Sequence, residues 1–155
     1  LTHWCIVRTD LAYEQRVAAA IERTGYQVWC PMETRSKRIT AKSRSRAREC
    51  YDVPLLPGIF LAAAEPMLEE FLSDVKGFDT VDRQPGSYAL CLIPEAQVEQ
   101  FRRYVDEANA QTLQRAAAGL KPKGKKKWLP IGDMSVAEVL ERMFGVKRIE
   151  EALRC

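Results

Sequence analysis

A chain of 155 residues, 46% hydrophobic and 29% charged, suits one domain with its own core plus a small appendage. No apolar run approaches the ~20 residues that a membrane-spanning helix needs, and no signal peptide opens the sequence. The net charge of +3 conceals two blocks without acids, seven Lys/Arg within 35–48 and five lysines within 121–127, which leave 12 of the 24 basic residues against 21 acidic ones. An acidic body with two basic segments points to localised contact with a polyanion.

Residues 3–8 alternate weakly and read as a strand. From Tyr13 the apolar positions Val17, Ala20 and Ile21 follow at helical spacing, and Gly25 offers a left-handed C-cap. Residues 26–30 are rich in β-formers and stop at Pro31, as a strand would. Residues 34–48 hold Ile39 as their only large aliphatic, so they form either a projecting hairpin or a mobile loop. The chain returns to the sheet over 51–63 through the Pro57-Gly58 turn. Leu68, Phe71, Leu72 and Val75 then mark a helix that begins near Pro66 and ends at Gly77.

Residues 78–83 and 88–93 read as paired strands around Gln84-Pro85-Gly86-Ser87. Pro94 opens a longer helix with Val98, Phe101, Val105 and Ala108 on one face. The expected class is α+β: an antiparallel or mixed four-stranded sheet flanked by helices, with a basic hairpin arm and a short helical C-terminal tail. The boundaries fall at 1–115 for the domain, 116–127 for a lysine-rich linker and 128–155 for the tail. In the tail, Ser135 and Glu138 fit a capping box ahead of Val139, Leu140, Met143 and Phe144.

Little in this sequence carries catalysis. No glycine-rich phosphate loop occurs, and His3 is the one histidine, which excludes most Cys-His and Ser-His-Asp arrangements. Five dispersed cysteines without a C-x-x-C pair read as reduced thiols packed on strands, not zinc ligands, and imply a cytoplasmic setting. No cofactor, metal site or catalytic residue is expected. A metal-dependent nuclease built from scattered carboxylates is the remote enzymatic alternative.

The apolar set Trp4, Leu56, Ile59, Phe60 and Leu61 is core by default. Strand alternation nonetheless puts Ile59 and Leu61 on one face and Phe60 on the other. If helices cover one face only, the other is an exposed apolar patch of the kind that binds a partner; the sequence does not say which face is covered.

In order, the chain shows Trp4 in its first strand, a helix with Glu14 and Arg16, Cys30-Pro31-Met32, a basic arm, Pro54-Leu55-Leu56-Pro57-Gly58-Ile59-Phe60, a second helix and Lys76-Gly77-Phe78. Over about residues 3–108 this order resembles the NusG N-terminal (NGN) domain of NusG-type transcription elongation factors, with Cys30-Pro31-Met32 closer to the specialised RfaH-like branch. It departs from the pattern at Ile59, where a tyrosine is usual. The resemblance implies that Trp4, Leu56, Ile59, Leu61 and Phe78 line an apolar depression that docks on the clamp helices of the β′ subunit of bacterial RNA polymerase. It implies further that Leu68, Glu69, Glu70 and Phe71 face the gate loop of the β subunit.

Arg16 and Lys76 match positions that touch non-template DNA. The arm residues Arg35, Lys37, Arg38, Lys42, Arg44, Arg46 and Arg48 suit phosphates and unpaired bases of that strand or of nascent RNA. The implied activity is transcription elongation and antitermination, by a protein that is monomeric when free and makes no membrane contact. A five-stranded KOW module needs about 40–50 residues, more than this tail offers, and the short architecture points to a phage- or mobile-element-encoded factor. The competing reading is a polymerase-independent RNA- or DNA-binding module that uses the basic arm.

Overall fold

The computed structural model describes residues 2–39, 46–84 and 86–122. The expected tail helices, the lysine tract beyond Pro122, and Lys42 and Arg44 of the arm lie outside the described residues.

Strand β1 (His3–Thr9) is the centre of the main sheet because both of its faces are apolar: Trp4, Cys5, Ile6 and Val7 are all buried. Helix α1 (Glu14–Glu22) follows, and Gly25 takes the left-handed conformation expected of it, φ +88°. Two-residue strand β2 (Val28–Trp29) leads into β3 (Met32–Arg38), β4 (Arg48–Pro54) and β5 (Ile59–Ala63). Helix α2 (Leu68–Leu72), β6 (Phe78–Val81), β7 (Ile93–Pro94) and α3 (Glu95–Ala117) complete the order.

All pairings are antiparallel. The main sheet runs β2-β5-β1-β6, with β7 also paired to β1, while β3 and β4 form a separate two-stranded sheet. The class is the expected α+β, with five strands in the sheet where four were expected. The fifth is β7, which pairs His3 and Trp4 with Pro94 and Ile93 instead of continuing alongside β6. Between β6 and β7 the described residues form an isolated bridge, Arg83 to Leu90, with Cys91 N–H donating to the Asp82 carbonyl at 3.0 Å and Gln84 N–H to the Ala89 carbonyl at 2.9 Å. Local β-propensity predicted the pairing there but not its break.

Alternation sorts the core into two layers, one on each side of the sheet. Cys5, Val7, Phe60 and Ala62 pack with Val17 and Ile21 of α1 and Leu68 and Leu72 of α2. Trp4, Ile6, Leu55, Leu56 and Leu61 pack with Ile93 and with Val98, Phe101 and Val105 of α3. Burying a side chain such as Phe60 or Phe101 contributes roughly 1.5–3 kcal/mol, so each helix is held chiefly by its apolar stripe.

Helix α3 has 23 residues, about 35 Å of length, and outruns the main sheet. Its second half buries Ala108, Thr112 and Ala116 and packs along β3 and β4. β3 and β4 are thus an antiparallel ribbon braced on a helix.

Candidate functional site

The Pro57-Gly58 turn owes its shape to two residue types. Ile59 N–H donates to the Leu56 carbonyl at 3.1 Å, and Gly58 has φ +75°. Pro at the second turn position and a positive-φ Gly at the third are the signature of a type II turn. The turn is fastened to the body at two points. Thr9 N–H donates to the Gly58 carbonyl at 2.8 Å, and Gly58 N–H donates to Oε1 of Glu14 at 2.7 Å. Glu14 is only 3% exposed; a buried carboxylate is stable here because it accepts a backbone donor. Its place in the first turn of α1 also sets it near the helix N-terminus, which favours negative charge.

Beside this turn lies a second tight one. Tyr13 N–H donates to the Asp10 carbonyl at 3.1 Å, and Ala12 sits at φ +70°, a strained conformation for a residue with a Cβ. Leu11, at its tip, is 71% exposed, and a Cβ on Gly58 would lie 3.7 Å from its Cδ2.

The register of β1 on β5 sets Trp4 opposite Ala63, Ile6 opposite Leu61 and Arg8 opposite Ile59. Trp4, Leu56, Ile59 and Leu61 are therefore brought together on one side, as the alternation argument expects, with Phe60 on the other. The open face does not exist in the form considered from sequence, because α1 and α2 cover one side and α3 the other. Trp4 (3% exposed), Leu56 and Leu61 are core, and Ile59 alone of the four is partly exposed. Phe78 packs with the opposite layer and is not part of this group.

What remains accessible is the end of the sheet away from the start of α3: Ile59, the exposed Pro57, Leu11, and Arg8, which is ion-paired to Asp82. The Asp82 hydrogen bond raises the Arg8 pKa further above its ordinary value. Leu11 escaped sequence reasoning because a lone loop leucine has no periodicity to mark it.

The arm presents two unlike faces. Thr34, Ser36, Cys50 and Arg48 alternate onto the half-buried side toward α3. Asn109 of α3 anchors the edge of β3, donating from Nδ2 to the Met32 carbonyl at 2.8 Å and accepting from Thr34 N–H at Oδ1 at 2.9 Å. Arg48 donates to Ser36 Oγ and the Ser36 carbonyl, so it staples the hairpin internally. On the outer side, Arg35 pairs with Glu33 at 3.1 Å and Lys37 Nζ lies 5.4 Å from the Tyr51 ring centroid. Arg38 and Arg46 are exposed, and Arg46 passes so close to Gly119 that a Cβ there would meet its Cβ at 2.8 Å. Arg16 lies over the Tyr13 ring, with Lys76 exposed at the end of the α2 segment.

Residues 2–102, from β1 into the first turns of α3, match the family described as "Transcription termination factor nusG". The chain belongs to the NusG family. No curated protein matches it. The match takes in both turns, β5 and the hairpin; the half of α3 that braces the arm lies beyond it. The α+β architecture agrees with an NGN-type fold, and the family is one of transcription factors.

Of the four α2 residues that the NusG resemblance placed at a gate-loop contact, Leu68 is 1% exposed and belongs to the core. Glu69 is ion-paired with Arg83, whose other guanidinium nitrogen reaches the Tyr88 carbonyl. Glu70 and Phe71 face outward, next to the exposed Met67. The four do not form one surface: Leu68 is buried beside Leu72, four residues on, while Glu70 and Phe71 are exposed.

Three of the thiols of this NusG-family chain are poorly suited to chemistry. Burial, reinforced by Glu69, pushes the Cys5 pKa up to about 12, and burial with Glu14 pushes Cys30 to about 11. Burial and Asp82 raise Cys91 as well. All three favour the protonated, unreactive thiol. Among the described residues no group of His, Cys, Asp and Glu is arranged to hold a metal, and no helix is long and apolar enough to cross a membrane.

Proposed function

We propose that this protein binds elongating bacterial RNA polymerase at the clamp helices of the β′ subunit and suppresses pausing or termination. The observation that carries the reading is the family match over residues 2–102, which spans β1, β5 and the doubly anchored Pro57-Gly58 turn. The contact surface is the accessible end of the sheet, with Ile59 at its centre and Leu11 and Pro57 beside it. Trp4, Leu56 and Leu61 shape that surface from beneath. Glu70 and Phe71 offer the second contact, across the cleft at the gate loop of the β subunit. Arg16, Lys76 and the arm cations Arg35, Lys37 and Arg38 lie toward non-template DNA or nascent RNA. A ligand that prefers the closed, elongating state by ~1.4 kcal/mol changes the open/closed ratio about tenfold.

The test is a pull-down of host-matched core polymerase with wild type and with Ile59→Asp, checked for folding by circular dichroism. Ile59 is the right probe because it is only half-buried, whereas Leu61→Asp would place a charge at a site 2% exposed and unfold the domain. Binding lost in folded Ile59→Asp supports the reading, with a termination-readthrough assay to follow. A wild type that fails to retain polymerase sinks it.

The exposed arm cations favour the second reading, a nucleic-acid-binding module that acts without polymerase. If about four charges engage a single strand, log K falls with log salt at a slope of roughly −3. Neutralising Arg35, Lys37 and Arg38 then abolishes function, while Ile59→Asp leaves it intact.

A further inference from the structure

Helix α3 changes character where it leaves the main sheet. Residues 95–107 hold four acids, Glu95, Glu99, Asp106 and Glu107, whereas residues 108–132 hold none. The acid-free half of the helix packs along the arm, whose stretch 34–48 is likewise free of Asp and Glu. The two basic blocks lie far apart in sequence, and the fold brings them together.

The joint is at Gly119. Helix α3 ends in a Schellman turn: Leu120 N–H donates to the Arg115 carbonyl at 2.8 Å, Gly119 N–H donates to the Ala116 carbonyl at 2.9 Å, and Gly119 takes φ +71°. Arg115 Nε then donates to the Lys121 carbonyl at 2.6 Å, which fixes the direction in which the chain leaves the helix. A Cβ on Gly119 would meet the Arg46 Cβ at 2.8 Å and the Arg46 carbonyl oxygen at 3.0 Å, so glycine lets the helix end lie directly against the arm. Lys121, the first lysine of its block, follows within ~7 Å of chain.

The register pairs Arg38 with Arg48 on the side of the ribbon toward α3, and the approach to Gly119 puts Arg46 there too. Arg38, Arg46 and Lys121 are exposed, and none belongs to an ion pair among the described residues. Glu33 and Glu49 alternate to the outer side with Lys37 and Tyr51. Asp52, the acid on the inner side, lies at the foot of the ribbon, where it accepts from Thr34 Oγ1 at 2.8 Å. Uncompensated cations held side by side repel one another, and a bound polyanion relieves that repulsion. The large apolar side chains exposed on the acid-free half of α3, Leu113 and Leu120, are aliphatic and offer no ring on which an unpaired base stacks. Contact through phosphates alone suits the densest polyanion, duplex DNA, with one charge per about 1.7 Å of axis against about 3.4 Å for a single strand.

We propose that Arg38, Arg46 and Lys121 form one site for the phosphate backbone of duplex DNA, distinct from the outer face of the arm where Arg35 and Lys37 accompany the Tyr51 ring. The end of α3 sets the spacing between the two basic blocks. The site needs neither polymerase nor the Ile59 rim.

The experiment titrates a labelled DNA duplex of random sequence with the full chain across a range of salt, followed by fluorescence anisotropy. Saturable binding is expected, with log K falling against log salt at a slope of about −2.7 or steeper, the value for three phosphate contacts. Arg46→Gln and Lys121→Gln each weaken binding severalfold and flatten the slope by about 0.9. Gly119→Ala keeps every charge but pushes the helix end off Arg46, and it weakens binding as well. Arg23→Gln, at an exposed position after α1, leaves binding nearly unchanged. No saturable binding of the duplex overturns the proposal, as does a single strand or an RNA duplex bound more tightly through Arg46 and Lys121. An equal loss in Arg23→Gln overturns it by showing diffuse charge attraction, and wild-type affinity in Gly119→Ala or Lys121→Gln overturns the joint. Single-strand binding by an Arg35→Gln, Lys37→Gln double variant scores the outer face separately, so either reading can fail alone.

Discussion

The two sides of the main sheet are built from the same strands and behave differently. On one side Cys5, Val7, Phe60 and Ala62 are closed over by two helices, and Phe60, Val7 and Ile21 have no exposed surface at all. On the other, α3 covers Trp4, Ile6 and Leu61 but leaves the Ile59–Arg8 end partly open. The lesson is one of length and direction. Two short helices packed by local connections seal a face, whereas one long helix that departs toward the arm leaves a rim where a partner can touch the sheet. Both sides carry a buried layer, but the accessible rim lies on the α3 side.

The sharpest way to break this contrast is at Phe60. Phe60→Ala should cost about 3–5 kcal/mol in urea unfolding, while Ile59→Ala, one residue along, costs under half as much. Equal losses would mean that the α3 side is as tightly sealed as the other. Next comes the alkaline limb. Cys5 is protonated in the folded protein up to about 12 but ionises near 9 when unfolded, so its contribution is complete below pH 9 and is lost as pH rises toward 12. Stability should fall by up to about 1.4 kcal/mol per pH unit in that window, and Cys5→Ala should flatten the slope.

Glu14→Ala removes the buried acceptor of Gly58 N–H and should cost about 1–3 kcal/mol. In addition, it should loosen the turn enough to weaken polymerase retention, which a purely structural loss elsewhere of the same size would not do. Asn109→Ala should cost about 1 kcal/mol and speed amide exchange at Thr34 while leaving exchange in β1 unchanged. The smallest effect is a gain: Ala12→Gly removes the positive-φ penalty and should stabilise by up to ~1 kcal/mol, read as a rise in thermal midpoint.

The features legible in the sequence were the local ones. The stripe Val98, Phe101, Val105 announced α3, Gly25 announced the end of the α1 segment, and the alternation of Ile59, Phe60 and Leu61 fixed which residues share a side. The Pro57-Gly58 pair named its own turn. What was not legible depends on distant partners. Nothing near Ile93 says that it will pair with Trp4, almost ninety residues earlier, or that α3 will lie over the face holding Leu61. Phe78 was placed with the docking set by position along the chain, but its packing follows from a register shift in β1–β6 pairing between Arg8 and Thr9. Leu11 and Glu14 were missed as site residues for opposite reasons: an exposed leucine and a buried glutamate both contradict the usual polarity rules that sequence reading relies on.

The bond pair made by Asn109 has one more consequence. A bare strand edge is a template on which another chain can add a strand, and β3 is such an edge, in a short ribbon with no third strand beside it among the described residues. The Asn109 amide fills the Met32 carbonyl and the Thr34 N–H as a neighbouring backbone would. The arm can thus extend its charges into solvent while the foot of its ribbon is closed to self-assembly, so the same helix that braces it also guards the protein against aggregation.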